Sequence, residues 1–169
     1  ETEVFTLSTG TVIEVEGWKE VEAIKFGDAV VLAERASAKT GVRAAYILAI
    51  IQQESNLGAN VGQCYLADTT TGAGTRKSTG AAVQNVMKAT RDVQPFMSIT
   101  KALGRDPFKT VVSCPIASVG GYGGAMGPAQ FIPSTWMLFA DRIAANVGRS
   151  ASDPWKPEDA FMASALYLA

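Results

Sequence analysis

The chain has 169 residues, 47% of them hydrophobic, which suits one compact domain with a substantial core. Its 15 basic and 16 acidic residues give a net charge of −1 with no long run of either sign, so we expect no nucleic-acid partner. The absence of histidine excludes Ser-His-Asp and Cys-His catalysis and histidine-containing zinc sites, which leaves acid and base chemistry to carboxylates.

The N-terminal residues have the pattern of a β-hairpin. Two short apolar runs, residues 4–7 and 11–15, flank a Ser-Thr-Gly turn. We therefore predict a hairpin over residues 3–16 and treat residues 1–20 as an extension of the domain that follows.

Two helices are predicted next, over residues 21–39 and 42–56, because apolar residues recur there with helical spacing. Ile47, Ile50 and Ile51 lie seven, four and three residues before Glu54, hence towards the same face. We expect Glu54 to continue this apolar face, where a desolvated carboxyl keeps its proton near neutral pH, as an acid catalyst requires. A structural glutamate at a helix end is the alternative.

The middle of the chain is predicted to be mostly irregular. Residues 60–80 are rich in Thr and Gly and predict a loop. Helical spacing returns over residues 81–103, where Pro95 is expected to kink or split the helix. Residues 104–132 are again predicted to be mostly loop.

Cys64 and Cys114 form either a disulfide or two buried thiols. The even number of cysteines, the loop-rich surroundings and a start without Met or signal peptide favour a disulfide in an exported domain.

A glycine-punctuated segment, Gly124-Ala125-Met126-Gly127, shortly precedes Gln130. Small residues let the backbone approach a ligand closely, and a Gln amide offers a donor and an acceptor to sugar amides and hydroxyls. A simple turn is the alternative. A dinucleotide fingerprint is excluded because Met126 stands where its third glycine should be, and no Walker lysine follows.

Two more helices are predicted in the C-terminal part. One begins at Pro133 and reaches about Val147, and the last runs over residues 158–169. The longest apolar run, residues 44–51, is far too short to cross a bilayer, so we expect no transmembrane segment in this chain.

Three stretches together resemble one family. Glu54-Ser55 near a helix end, the segment Gly124–Trp136 and the segment Asp153–Ala160 match, in order and spacing, the lytic transglycosylases of bacterial cell walls. The resemblance covers about residues 40–58 and 120–169.

The family has the goose-type-lysozyme-like fold, so the resemblance implies a mainly α-helical, lysozyme-like catalytic domain over residues 21–169. Residues 60–119 would be an insertion without a counterpart. The family's later Tyr-containing motif would fall beyond Ala169, so we expect the domain to be cut short there.

The resemblance also implies residue roles. Glu54 would be the sole catalytic acid and base, Ser55 would orient it or the substrate, and Gln130 would contact a sugar. The backbone of residues 124–127 would line the cleft. Tyr122, just before that segment, would either stack on a sugar or cover the core.

Other candidates are assigned structural roles. Core packing is predicted for three large aromatic residues, namely Trp136, Trp155 and Tyr167, whereas Trp18 is left open as a sugar platform. Each of three aspartates could be a second carboxylate, but Asp153 is better interpreted as a helix-entry residue and Asp68 and Asp106 as solvated loop residues. No EF-hand pattern occurs, and we expect neither a metal nor a cofactor.

The resemblance implies cleavage of the β-1,4 bond between N-acetylmuramic acid and N-acetylglucosamine in peptidoglycan, with closure of a 1,6-anhydro ring. A hydrolytic muramidase or chitinase is one alternative, and a catalytically silent wall-binding module is another. The expected partner is the peptidoglycan glycan strand, and we expect an exported monomer.

Overall fold

The computed structural model describes residues 2–6, 12–16, 26–116, 118 and 121–169. For the first two ranges and Phe26 it describes the backbone alone. Strands β1 (Thr2–Thr6) and β2 (Val12–Glu16) pair antiparallel, with Thr2 opposite Glu16. The strands of the predicted hairpin are therefore confirmed, whereas its turn and Trp18 lie outside the described residues.

The domain is mainly helical, as predicted. Its helices are α1 (Phe26–Thr40), α2 (Ala44–Ser55), α3 (Gln94–Ala102), α4 (Pro133–Val147) and α5 (Pro157–Leu168). In the part of the chain that the structure describes, no helix is both long enough and apolar enough to cross a membrane.

Helix α5 lies at the centre of the core and packs against α1, α2 and α4. Every residue from 159 to 166 is buried, so this helix has no solvent face over two turns. Alanines on both α1 and α5 are fully buried, among them Ala29, Ala33 and Ala165. Such small side chains allow the two helices to pack closely.

Helix α2 ends abruptly. Asn56, Leu57 and Gly58 all have positive φ angles, of 51°, 55° and 88°. The Asn56 N–H donates to the Gln52 carbonyl oxygen at 2.9 Å, as in a left-handed helix cap. Glu54 therefore lies in the last turn of α2, immediately before a sharp change of chain direction.

The middle of the chain differs from the prediction. Residues 60–83 contain an antiparallel sheet of three short strands, β3 (Cys64–Leu66), β4 (Gly74–Arg76) and β5 (Ala82–Val83), in that order. A Cβ on Gly74 would overlap the Tyr65 carbonyl oxygen, so this glycine allows β3 and β4 to approach. The irregular loop predicted over residues 60–80 is therefore wrong in part.

The helix predicted to start at residue 81 is also wrong in its first part. Asn85 adopts a positive φ of 58°, which interrupts helical geometry. A π-helical turn (Ala89–Val93) leads into α3, and Pro95 lies in the first turn of that helix, where its missing N–H costs nothing. Pro95 thus lies at the start of α3, directly after the π-helical turn, and not inside a helix that began at residue 81.

Cys64 and Cys114 form the expected disulfide, with their Cα atoms 5.1 Å apart. Cys64 also exchanges two backbone hydrogen bonds with Val112, at 3.0 and 2.9 Å. The disulfide and this bridge together join β3 to the segment before the glycine-rich part of the chain.

Candidate active site

A groove of about 350 Å³ lies between the end of α2 and the end of α5. Ile50 and Glu54 of α2 form one wall, and residues 129–132 with Thr135 of α4 form the opposite wall. Side chains from the last two turns of α5 complete it. The groove thus joins two of the three sequence stretches that carry the resemblance.

Glu54 is exposed at the edge of this groove. The buried face of α2 passes through Ile47 and Ile51 to Ser55, four residues apart at each step. Ile50 and Glu54 lie one residue earlier in each turn, which rotates them to the border of that face. The prediction that Glu54 continues the buried stripe is therefore wrong, and so is the expectation that the protein itself desolvates its carboxyl.

Ser55 is buried, and its hydroxyl is committed to the backbone. Its Oγ donates to the Pro128 carbonyl oxygen at 2.6 Å and accepts the Gly58 N–H at 2.9 Å. The structure therefore places Ser55 where it fastens the end of α2 to the opposite wall, and not where it would touch a ligand in the groove.

The glycine-punctuated segment forms a tight turn. The Met126 N–H donates to the Phe131 carbonyl oxygen at 2.9 Å, and the Gln130 N–H donates to the Gly127 carbonyl oxygen at 3.1 Å. Gly127 has a φ of 60°, and a Cβ there would overlap the Pro154 carbonyl oxygen. Only glycine allows this contact, so the turn can lie directly on the Asp-Pro-Trp stretch.

The backbone of residues 124–127 was predicted to line the cleft, but none of these residues lines the groove. Gly124, Met126 and Gly127 are buried, Ala125 is half-buried, and the groove is lined by residues 129–132 that follow them. Their geometry supports a positioning role, because the turn delivers Gln130 and its neighbours to the groove.

The segment before Cys114 holds this turn in place. Ser113 donates its N–H to the Ala125 carbonyl oxygen at 2.9 Å, and its Oγ accepts the Ala125 N–H at 2.9 Å. The Ser113 carbonyl oxygen accepts the Gly124 N–H at 3.0 Å. Since Cys114 follows directly, the disulfide anchors the same short segment.

Gln130 lines the groove, as the predicted sugar contact requires. Its amide nitrogen donates to the Gly127 carbonyl oxygen at 2.8 Å and to the Val61 carbonyl oxygen at 3.3 Å. These bonds hold the amide in place and leave its oxygen as the group that can accept a hydrogen bond.

Helix α5 contributes Ser164, Tyr167 and Leu168, whose spacing of three and four residues places them on one face. Tyr167 is 60% exposed, and its ring packs edge-on against Phe131 and Phe139 with centroids 5.5 and 5.9 Å apart. The core position predicted for Tyr167 is therefore wrong. The last turn of α5 extends beyond the packed core. The spacing of three and four residues from Ser164 to Tyr167 and Leu168 could have identified this face from the sequence.

Three other aromatic candidates, Tyr122, Trp136 and Trp155, do not line the groove. Tyr122 is 37% exposed and faces the Lys88 ammonium, which lies 5.9 Å from the ring centroid. Trp136 is 1% exposed, which confirms its core position. Trp155 is half-buried against the core, and its Nε1–H donates to the Val111 carbonyl oxygen at 3.0 Å.

Asp68 and Asp106 are exposed loop residues, as predicted. The backbone N–H groups of Thr71 and Thr70 hold the pKa of Asp68 below its usual value. Neither aspartate lines the groove, so neither is placed to act with Glu54.

Asp153 is buried in an ion network at the start of α5. Its carboxylate pairs with Arg105 at 2.8 Å, and its N–H donates to Asp159 at 2.7 Å. Burial raises the pKa of Asp159, while the Asp153 N–H and the Arg149 guanidinium act in the opposite direction. The helix-entry interpretation of Asp153 agrees with this placement.

Glu54 is thus the one carboxylate that the described residues contribute to the groove. Within the same described ranges, no group of three or more His, Cys, Asp or Glu side chains could hold a metal ion.

Comparisons with known proteins identify the family of the chain. A family model described as a transglycosylase SLT domain matches residues 23–169. No curated protein gives a significant match.

Three solved structures illustrate the structural likeness. The Escherichia coli lytic transglycosylase Slt35 in complex with bulgecin A is 22% identical, with a TM-score of 0.59, over 84% of this chain and 40% of that one. The soluble lytic transglycosylase SltB1 from Pseudomonas aeruginosa is 24% identical, with a TM-score of 0.57, over 84% and 43%. SltB3 from Pseudomonas aeruginosa, in complex with NAG-NAM-pentapeptide, is 22% identical, with a TM-score of 0.57, over 85% and 34%.

The likeness confirms the predicted lysozyme-like fold of lytic transglycosylases. This chain spans about two fifths of the length of Slt35 and SltB1 and about one third of that of SltB3.

Proposed function

Because the chain belongs to the transglycosylase SLT domain family, we propose that it is a lytic transglycosylase that cleaves the glycan strands of peptidoglycan. The observation that carries the proposal is the groove itself. Among the described residues, Glu54 is the carboxylate that lines it, together with the ordered amide of Gln130.

One carboxyl suffices for the proposed reaction. Protonated Glu54 donates its proton to the glycosidic oxygen between N-acetylmuramic acid and N-acetylglucosamine as positive charge develops at C1. The resulting carboxylate then removes the proton from the C6 hydroxyl of the same muramic acid. That oxygen bonds to C1, so the product ends in a 1,6-anhydro ring.

The exposure of Glu54 is compatible with this role once a glycan fills the groove. The carboxyl borders Ile50 on its own helix, and Phe131 and Ile132 line the same groove. A sugar ring between these apolar surfaces would displace water from the carboxyl, and loss of water favours its protonated form.

The remaining groove residues have proposed binding roles. The amide oxygen of Gln130 would accept a hydrogen bond from a sugar hydroxyl, since its nitrogen is engaged by backbone carbonyls. The exposed ring of Tyr167 would pack against a sugar face. Ser55 and residues 124–127 would position the two walls.

Analysis of the products tests the reaction type. Purified peptidoglycan is digested, treated with borohydride and analysed by mass spectrometry. We expect new ends that weigh one water less than hydrolytic ends and that resist reduction, because an anhydro ring has no reducing group. New ends that gain two hydrogens would instead identify a hydrolase.

The hydrolytic alternative finds less support in the groove. An inverting muramidase needs a second carboxylate about 6.5–9.5 Å from the acid, and a retaining one needs a nucleophile about 5–5.5 Å away. The described groove residues include no second carboxylate.

A silent binding module would sediment with cell walls and release no product.

We also propose that the protein is an exported monomer. Peptidoglycan lies outside the cytoplasm, and a structural disulfide such as Cys64–Cys114 persists in oxidising compartments.

A further inference from the structure

Asp92 is a fully buried carboxylate that the proposed reaction does not use. It lies in the π-helical turn (Ala89–Val93) and is 0% exposed. Its Oδ2 accepts a hydrogen bond from the Arg91 Nε–H at 2.8 Å, and the same guanidinium is its ion-pair partner. The Arg91 side chain is 41% exposed, so the guanidinium reaches solvent while the carboxylate does not. Burial of a carboxylate is costly unless its oxygens are hydrogen-bonded, so the second oxygen also needs a partner.

The second oxygen of Asp92 bonds to the start of α4. Its Oδ1 accepts the Ser134 Oγ–H at 2.8 Å and the Ser134 N–H at 3.2 Å, across 42 positions of the chain. Ser134 lies in the first turn of α4, where backbone N–H groups have no partner within the helix. Ile132 stands at the N-cap position, and its side chain has no acceptor for these groups. Asp92 therefore caps α4 from another part of the chain, and its negative charge is also favourable at a helix N-terminus.

The capped turn of α4 carries part of the groove wall. Ile132 and Thr135, on either side of Ser134, line the groove. The buried ring of Trp136 packs against the ring of Phe131, with centroids 6.2 Å apart, and Phe131 also lines the groove. A shift or rotation of this turn would therefore move three groove residues together.

We propose that Asp92 is a positioning residue for the groove. By capping α4 through Ser134, it holds the wall that contains Phe131, Ile132 and Thr135 in the orientation that binds the glycan. This inference rests on the proposed function, because it requires that a glycan strand binds in the groove. It goes further by giving the π-helical turn, which does not line the groove, a role in substrate binding.

The test compares two changes at Asp92. Asp92→Ala removes both acceptor oxygens. Asp92→Asn keeps one oxygen that can face Ser134, while the partly exposed Arg91 guanidinium can turn to solvent.

Thr100→Val is the matched control, because it keeps the shape of a side chain and removes a buried hydrogen bond in the neighbouring helix. Thr100 is also 0% exposed, but its hydroxyl donates to carbonyl oxygens of its own helix, α3, at 2.8 and 3.2 Å. It does not line the groove.

Initial rates on soluble, uncross-linked glycan strands of peptidoglycan give kcat and KM, at a temperature below every melting transition. We expect Asp92→Ala to raise KM roughly five- to ten-fold and to change kcat by less than about three-fold, because the wall is displaced while Glu54 stays on α2. Asp92→Asn should recover most of this loss, with a KM within about three-fold of the starting value, because its amide oxygen still accepts hydrogen bonds from Ser134. Thr100→Val should keep KM within about two-fold, although it and Asp92→Ala should both lower the melting temperature.

Ser134→Ala provides the measurement if Asp92→Ala does not fold. It removes the shorter of the two hydrogen bonds to Asp92 and leaves the backbone N–H bond in place. We expect KM to rise roughly two- to four-fold with the same small change in kcat.

Three results would overturn the proposal. In the first, KM rises no more in Asp92→Ala, or in Ser134→Ala if the former does not fold, than in Thr100→Val. In the second, Asp92→Asn is as impaired as Asp92→Ala, so the hydrogen bonds to Ser134 do not hold the wall. In the third, kcat falls and KM stays the same, which places the defect outside substrate binding.

Turnover by the unchanged chain separates this inference from the proposed function. If that chain releases product and the Asp92 variants behave like Thr100→Val, only the positioning role of Asp92 is wrong. If the unchanged chain neither binds glycan nor releases product, both proposals fall together.

Discussion

The two sides of the groove are built in contrasting ways. On the groove side, Glu54 and Tyr167 lie in the last turns of two helices and are exposed. On the support side, which we define as residues 60–116 and 121–127, the chain is held by a sheet, a disulfide and paired backbone hydrogen bonds, and Cys64, Val112 and Met126 are buried. Side chains suited to chemistry are thus open to solvent, whereas the residues that place them are tightly constrained.

This contrast predicts that changes on the groove side reduce activity and changes on the support side reduce stability. Glu54→Gln gives the largest expected effect. It keeps the shape of the side chain but removes the proton, so turnover of peptidoglycan should fall by at least about 10²-fold, the scale of a lost general acid. The melting temperature should stay within about 1–2 °C of the starting value, because an exposed side chain contributes little to folding.

Asp141→Asn is the matched control for Glu54→Gln. It also converts an exposed carboxylate into an amide, but it lies on α4 away from the groove. We expect full turnover from this variant. Near-full turnover from Glu54→Gln as well would remove Glu54 from the proposed mechanism.

Reduction of the Cys64–Cys114 disulfide should have the next largest effect, on stability. The two cysteines are 50 residues apart, and closing a loop of that length stabilises a fold by about 4 kcal/mol in the chain-entropy model. Calorimetry with and without reductant should show a clear fall in melting temperature. Below that transition, turnover should fall by less than about ten-fold, a smaller loss than that expected for Glu54→Gln.

The double variant Cys64→Ser with Cys114→Ser is the control for reduction, and it should melt at a similar temperature with or without reductant. Alkylation of both thiols in the native, unreduced protein would contradict the disulfide.

Gly127→Ala should have a smaller but specific effect on the support side. Gly148 is its matched control, because it has a similar φ of 72° but open space around its Cβ position. Gly148→Ala should lower the free energy of unfolding by about 1–2 kcal/mol, the cost of left-handed backbone for alanine. Gly127→Ala should cost about 1–3 kcal/mol more, because its methyl group would also overlap the Pro154 carbonyl oxygen.

Urea unfolding of both glycine variants measures this difference. Equal losses would mean that the turn can move away from the Asp-Pro-Trp stretch, and that the support side is less constrained than its contacts indicate.

Much of the helical fold could be predicted from local pattern. The spacing of apolar residues identified α1 and α2, and the proline at position 133 marked the start of α4. The short strands between residues 64 and 83 were missed because their pairing depends on a close approach at Gly74, which no local periodicity encodes.

The candidate site was also predicted only in part from the sequence. Glu54, Gln130 and the disulfide partners were identified from the sequence, and the first two line one groove. The prediction that Glu54 lies on the buried face of α2 was wrong. Ser55 occupies that face, and Glu54, one residue earlier, lies at its border. Tyr167 was assigned to the core because most of its helix is buried, and only the helix packing shows that the last turn extends beyond it.

By itself, the sequence determined the class of fold and the family, because these depend on composition, spacing and motif order. The absence of histidine also determined that acid and base chemistry is left to carboxylates. The tertiary structure decided which motif residues face the groove and which only hold it. That decision depends on contacts between distant segments, such as the Ser55 hydroxyl with the Pro128 carbonyl oxygen and Ser113 with Ala125. Local sequence does not encode such contacts, since each forms only when the separate parts of the chain pack against one another.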